Sequence, residues 1–497
     1  MSGSLVRRAI SPRIIKVIAA AVIGCALLHF ALYLYVPNFA DYGEPVIPLL
    51  ASNFLHHGPV YADWNAGKAV IGSNYGPYIF LSQIPVLIIF PGIIGSKLIG
   101  IIFAVLALLL LCLVLRSYIV PLENVLTFCA LMIALLAFFL HSWFWNRPDS
   151  LLIAIVSLGV FIVDRARPSI GLILIGLLAG IAANLKLFAP IYLIPLALAS
   201  FQQMRGWPEI VWAVVVGGVM FGIALGFPFA IGVSSLEPYI SNMLVMRHQG
   251  FVASAVVQSV LYGIVLSALP LLIWPYHGTQ RIERVMILAL LGCAAAVAVI
   301  AGKPGGGPGY MMPFVPLSLY ISVKMLSREP KKQRVEAAEL FRLTFCVVLI
   351  CALPLWAYSW LQMARQLEDH HTELEKSAEL REFFRVYPNS QMGHSSAADS
   401  DQQAGEFYRV EKAFLGQVSV FDVVNYADQR RAGIPATVMY PLLENCDVPN
   451  WILLRQAKPF SGEEYDVPLF DQGVVERFRT HYKRVTEGKY YEVWTCR

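Results

Sequence analysis

The first carboxylates of the chain are Asp41 and Glu44, three positions apart, just past the apolar run 14–36. They open a polar stretch, 37–77, that also carries His56, His57, Asp63, Trp64 and Lys68 and closes on Asn74-Tyr75-Gly76-Pro77. A carboxylate at the edge of an apolar run sits where water meets hydrocarbon. Burial there raises its pKa and a nearby cation lowers it, and either way it can act as a general base. The plainer alternative is that such acids only solvate a helix end. Other polar side chains fall at comparable edges: His141, Trp143, Trp145, Arg147 and Asp149, then Lys186, then Glu237, Arg247 and His248. Arg147 and Asp149 can pair with each other, and tryptophans at an interface are ordinarily anchors. Lys303 is the second residue of the glycine cluster 302–309, which reads either as a turn or as an amide-lined loop with Lys303 facing an anionic headgroup.

The elements that must hold these residues are set by composition. Of 497 residues, 57% are hydrophobic and only 14% charged, and the mean hydropathy is +0.61. Soluble domains run near 45–50% and about 25%, so a soluble enzyme, a disordered scaffold and a nucleic-acid-binding protein are excluded. A membrane crossing needs about 20 apolar residues. About eleven stretches qualify, roughly 14–36, 94–115, 122–141, 149–164, 169–186, 188–203, 209–231, 253–274, 285–302, 310–326 and 342–362. The first is too long for a cleaved signal and lacks a small-x-small site before its polar exit. The stretch 78–92 is short and interrupted by Pro85, and reads as a helix in the interface. Pro45 to Leu55 reads as a short amphipathic helix on the membrane surface. The fold expected is a polytopic all-α membrane protein, with a transmembrane domain over 1–362 and a soluble domain over 363–497.

Basic residues give the sidedness. Arg7, Arg8, Arg13, Lys16, Arg116, Arg165, Arg167, Arg205, Arg281, Arg284, Arg328, Lys331, Lys332 and Arg334 collect on one side. The opposite short loops hold only Lys68, Arg147, Lys186, Arg247 and Lys303, with Lys97 near the boundary. The positive-inside rule then puts the N-terminus in the cytoplasm and the tail outside. Six of the eight cysteines lie in apolar runs; Cys446 and Cys496 are alone in the tail, where an oxidising compartment makes them a disulfide.

There is no G-x-x-x-x-G-K-[ST] loop and no strand-linked G-x-G-x-x-G. Asp399-Ser400-Asp401 lies in a Ser/Asp/Gln-rich stretch and reads as solvated loop rather than a nucleotide-sugar site. The span interiors hold almost no ionisable residues, which counts against an ion-coupled transporter. Any chemistry belongs at the outer interface.

With those residues in hand, the sequence resembles the GT-C superfamily of membrane glycosyltransferases, in its protein-mannosyltransferase and aminoarabinose-transferase-like branch. The likeness lies in Asp41-Tyr42-Gly43-Glu44-Pro45, His57-Gly58-Pro59-Val60-Tyr61-Ala62-Asp63 and Asn74-Tyr75-Gly76-Pro77. Asn146-Arg147-Pro148-Asp149, the glycine-rich run from Gly176 to Lys186, and Gly302-Lys303 through Pro313 follow in the family's order. The tail is similar to the small α/β periplasmic domain that many members carry.

The resemblance implies an inverting transferase in a bacterial inner membrane. It would move a sugar from a polyprenyl-phosphate donor to a lipid, glycan or protein acceptor on the periplasmic face. Asp41 or Glu44 would take the acceptor's proton. Lys186, Arg247 and Lys303, with His248 as a weaker candidate, would meet the donor phosphate, and Arg147, Asp149 and Tyr75 would position substrate. Some relatives use a divalent metal; His56, His57 and His248 are the ligand types present, but no H-x-x-x-H or H-E-x-x-H spacing supports a site, so the metal is left unassigned. The competing class is a lipid-linked-sugar flippase or another polytopic transporter, which predicts activity that survives loss of the outer carboxylates.

Overall fold

In the computed structural model, the structure describes residues 11–41, 43–63, 67–118, 122–139, 142–245, 250–274, 281–327, 331–396, 407–464 and 467–497. The helices are α1 (Pro12–Tyr35), α2 (Val46–Leu55), α3 (Pro77–Ile89), α4 (Ile93–Tyr118) and α5 (Leu122–Leu136). Then come α6 (Pro148–Arg165), α7 (Pro168–Leu185), α8 (Ile194–Gln203), α9 (Trp207–Ala230) and α10 (Leu236–Val245). The series continues with α11 (Ala253–Ile273), α12 (Arg281–Ile300), α13 (Phe314–Ser327), α14 (Lys331–Glu368) and α15 (His370–Val386).

Two compact units result, one of residues 1–33, 100–225 and 251–364, the other of 34–99, 226–250 and 365–497. Seven helices among the described residues are long and apolar enough to cross a membrane: Arg13–Tyr35, Ile93–Tyr118, Pro168–Leu185, Trp207–Ala230, Ala253–Ile273, Arg281–Ile300 and Leu343–Glu368. The four other expected crossings contain α5, α6, α8 and α13. In the stretch 188–203, a 3-10 turn (Ala189–Leu193) precedes α8, with Pro190 and Pro195 in the first turns of these two segments. The missing amide of proline is tolerated at such a start but not within a continuous helix.

In the first unit α6, α7 and α8 pack in sequence, and α11, α12 and α13 pack together. The glycines of α7 have a specific use. A Cβ on Gly176 would stand 2.3 Å from the Gly217 carbonyl oxygen, and one on Gly180 would stand 2.4 Å from that of Phe221. Only glycine lets the α9 backbone lie this close to α7.

The second unit joins the stretch 34–99 to the tail. The helix α2, expected at a membrane surface, is instead buried along Val46 to Asn53. Its side chains are apolar nearly all round, so both faces need cover. Ser52 donates to the Ala413 carbonyl at 3.0 Å, and Asn53 donates to the Pro59 and Ser419 carbonyls at 2.7 Å each. The tail is the small α/β element expected. Its central sheet runs in the order Gln391–Met392, Asn450–Leu454, Tyr491–Cys496, Tyr482–Glu487, with only the first pair parallel. Val70 forms a parallel bridge with Phe421 and enters the core of Tyr426, Trp451, Phe460, Phe478 and Tyr482. Cys446 and Cys496 are disulfide-bonded, with a Cα–Cα distance of 6.0 Å.

Candidate active site

The two acids of the first loop have different surroundings. Glu44 is fully buried. Its Oε2 accepts the backbone N–H of Ala40 at 2.7 Å and of Asp41 at 3.0 Å. Lys97, also fully buried, interacts electrostatically with Glu44 and donates its Nζ to the Val36 carbonyl at 2.7 Å. Asp41 is only half-buried, and its Oδ1 accepts the Gly43 N–H at 2.7 Å. A Cβ at position 43 would lie 2.9 Å from that same oxygen, so a larger residue there would shift the Asp41 carboxylate. Glu44 thus folds the loop start, and Asp41 is the carboxylate held toward the surface of its unit.

Tyr75 closes the same loop. Its carbonyl accepts the Tyr61 hydroxyl, and its N–H donates to Ser73 Oγ at 3.2 Å. Next to it, Asn74 donates to Asp428 of the helix Val423–Arg431, which also pairs with Arg431 at 3.2 Å. Burial pushes the Asp428 carboxyl up to about 6, against the opposing pull of Arg431 and Asn74.

The first unit holds the other charged group. Asp149 opens α6, and its Oδ1 accepts Lys186 Nζ at 2.7 Å. Arg147 Nε lies 3.9 Å from its Oδ2. Lys186 caps the end of α7 and sits over the Tyr310 ring, 4.4 Å from the centroid. Tyr310 is stacked on Phe188, and its carbonyl accepts the Tyr192 hydroxyl at 2.6 Å. Two cations therefore flank one carboxylate. The Lys186 and Asp149 side chains are almost wholly buried, while that of Arg147 is 22% exposed.

Lys303 is half-buried and, among the described residues, has no ion-pair or hydrogen-bond partner for its ammonium. Its loop turns through Gly305 and Gly307, at φ of 75° and 124°. Arg247 and His248 lie outside the described residues, as do His141 and the triplet 399–401. His56 is engaged within its own helix turn, with Nδ1 2.9 Å from the Ser52 carbonyl oxygen. Among the described residues, no group of three or more His, Cys, Asp or Glu side chains is placed to hold a metal ion.

Sequence reasoning did not single out Lys97, Tyr192 or Tyr310. A lysine four residues inside the apolar helix α4 is the signal that could have found Lys97, because an ionisable side chain there requires a partner.

No protein-family model matches this sequence, and no curated protein matches it. Solved structures do. The crystal structure of ArnT from Cupriavidus metallidurans bound to undecaprenyl phosphate superposes with a TM-score of 0.56 at 12% identity. The match covers 96% of this chain and 97% of that one. The apo form of the same protein gives 0.55 with the same identity and coverage. This chain has the GT-C fold. Within the GT-C fold the likeness takes in nearly the whole length of both chains, including the tail. The stretches that resemble the family in sequence map onto structure as the Asp41–Glu44 turn, the loop end at Tyr75, the start of α6, the end of α7 and the loop before α13.

Proposed function

We propose that this GT-C-fold protein is an inverting glycosyltransferase that takes a sugar from a polyprenyl-phosphate donor. The observation that carries the reading is the unequal treatment of the two loop acids. Glu44 is fully buried on two backbone amides near Lys97, and Asp41 is the half-buried acid of the two, which this reading makes the base. The undecaprenyl phosphate bound by the structurally similar ArnT supports a lipid-phosphate donor.

In this reading Asp41 accepts the proton of an acceptor hydroxyl as its oxygen attacks the anomeric carbon. The bond from that carbon to the phosphate oxygen breaks on the opposite side, and polyprenyl phosphate leaves. General-base help of this kind is worth roughly 10²–10⁴-fold. Fixed cations stabilise the charge that grows on the leaving phosphate. Arg147 and Lys303 carry that role, because Lys186 is already neutralised by Asp149; Arg247 retains its place from the sequence resemblance. Asp149, fixed by Lys186, holds Arg147. The basic residues listed along one set of loops, and a disulfide in the tail, support an inner-membrane protein with its N-terminus in the cytoplasm and its tail in the periplasm.

The test is transfer by purified protein in lipid, supplied with a panel of polyprenyl-phosphate sugars. Wild type transfers sugar with inversion, and Asp41→Asn does not. Transfer that survives Asp41→Asn removes the mechanism. Labelled lipid that crosses the bilayer, with no transfer from any donor, makes the protein a transporter.

A further inference from the structure

A furrow runs between α7, α8 and α9 in the first unit, with a cavity volume of about 280 Å³. Its floor is Ile175, Leu193 and Ala213, each at most 3% exposed, and its rims are Ile194 and Val214, at 42% and 52%. The lining is entirely apolar. Glycine leaves room in its wall: a Cβ on Gly218 would meet nothing within 4 Å.

One end of this furrow is charged. The chain enters α7 at Arg167 and leaves α8 for α9 at Arg205, and both side chains are exposed. A Cβ on Gly171 would lie 3.2 Å from Ser200 Oγ, which puts the start of α7 beside the end of α8. Among the described residues neither Arg167 nor Arg205 has an ion-pair partner. The acids nearest in sequence are Asp164, which pairs with Arg165 at 3.3 Å, and Glu209 in the first turn of α9, and neither pairs with Arg167 or Arg205 among the described residues. Trp207, 73% exposed, stands at the same end, as an aromatic anchor at headgroup level does. At 1.5 Å per residue, Leu172 on the furrow wall is about 7 Å along α7 from Arg167 and about 21 Å from Lys186. The furrow continues along α7 to Ala179, about 10 Å from Lys186, so Arg167 and Arg205 stand at one of its two ends.

We propose that the furrow and its two arginines bind an acidic phospholipid, with the phosphate on Arg167 and Arg205 and one acyl chain lying between α7, α8 and α9. The apolar lining excludes a polar solute, and the exposed guanidinium groups match an anionic headgroup held at the bilayer surface. Juxtamembrane arginines gain affinity from acidic lipid in this way. With the orientation read from the basic residues, the lipid belongs to the cytoplasmic leaflet.

Native mass spectrometry of the full-length protein, delipidated in neutral detergent, tests the site. Phosphatidylglycerol and phosphatidylcholine of equal chain length are the probes, and polyprenyl phosphate is the competitor. Wild type binds phosphatidylglycerol about 30-fold more tightly than phosphatidylcholine, from roughly one charge contribution per arginine. The double variant Arg167→Gln/Arg205→Gln loses that preference. Gly218→Leu, whose Cβ enters open space, narrows the furrow and weakens both lipids alike, with unchanged elution on gel filtration showing that it folds. Equal binding of the two lipids by wild type, or a preference kept by the double variant, overturns the proposal. So does polyprenyl phosphate that displaces phosphatidylglycerol from wild type, which gives the furrow to the donor's chain instead.

Discussion

The carboxylate of Glu44 accepts the backbone N–H of Asp41 at 3.0 Å, so the second acid of the loop fixes the backbone that presents the first. Their roles divide by burial: Glu44 is fully enclosed beside Lys97, and Asp41 is not. The two can be separated by substitution. Asp41→Asn keeps the thermal stability of wild type and lowers turnover by about 10²–10⁴-fold. Glu44→Gln preserves an acceptor for the two amides but removes the carboxylate charge that acts on the buried Lys97. Loss of one partner of a buried pair costs roughly 3–5 kcal/mol. Its Tm falls, while the pH dependence of the remaining activity keeps its wild-type shape. Thermal scans and pH–rate profiles on matched preparations check both outcomes.

Asp149 and Lys186 behave as a unit. Asp149→Asn strands a nearly buried ammonium and destabilises the protein by about 3–5 kcal/mol. The double change Asp149→Leu/Lys186→Met removes both charges and restores most of that loss, because a well-packed apolar pair replaces a buried ion pair at little cost. A double-mutant cycle on Tm measures the coupling. Transfer activity is not restored in the double variant, since Arg147 has lost its partner at 3.9 Å.

Asp428 makes stability fall as pH rises. Its folded-state pKa, about 6, is above the ordinary carboxylate value near 4. Between these values the folded state holds a proton that the unfolded state has released. Stability is therefore full below about pH 4 and declines through about pH 6, where the loss reaches at most about 3 kcal/mol. Hydrogen exchange of the helix Val423–Arg431, corrected for intrinsic rates, is slower at pH 4.5 than at pH 7. In Asp428→Asn this difference disappears.

The disulfide closes a loop of 50 residues in the tail. Chain entropy alone gives such a closure about 4 kcal/mol. Cys496→Ser, or reduction of the wild type under denaturing stress, lowers the threshold for proteolysis of the tail. The membrane helices keep their protease resistance.

The long apolar helices were readable because hydrocarbon thickness dictates their length, and the α/β tail was expected from the family resemblance alone, its strands at 450–454 and 491–496 appearing in the structure. The burial of α2 was not readable: a ten-residue apolar helix looks the same at a membrane surface and inside a folded unit, and its cover comes from residues 413 and 419. The site was legible by residue type and region only. Which acid is enclosed depends on Lys97, more than fifty positions downstream, and which cation is neutralised depends on the contact of Lys186 with Asp149. Proximity across such separations is a property of packing, and local pattern does not encode it.

Asn53 and Ser419 are 366 residues apart in the chain, yet Asn53 gives the Ser419 carbonyl a hydrogen bond of 2.7 Å and takes one from its N–H at 2.8 Å. At about 5–20 residues per second, a ribosome needs roughly 20–70 s to make the residues between them. Throughout that interval the segment bearing Asp41 has been synthesised without the partners that bury α2. Its apolar face then depends on holding chaperones or on the lipid itself. Premature termination between residues 368 and 419 leaves every membrane helix made but the loop unfinished, so quality control of this protein is written into its last quarter.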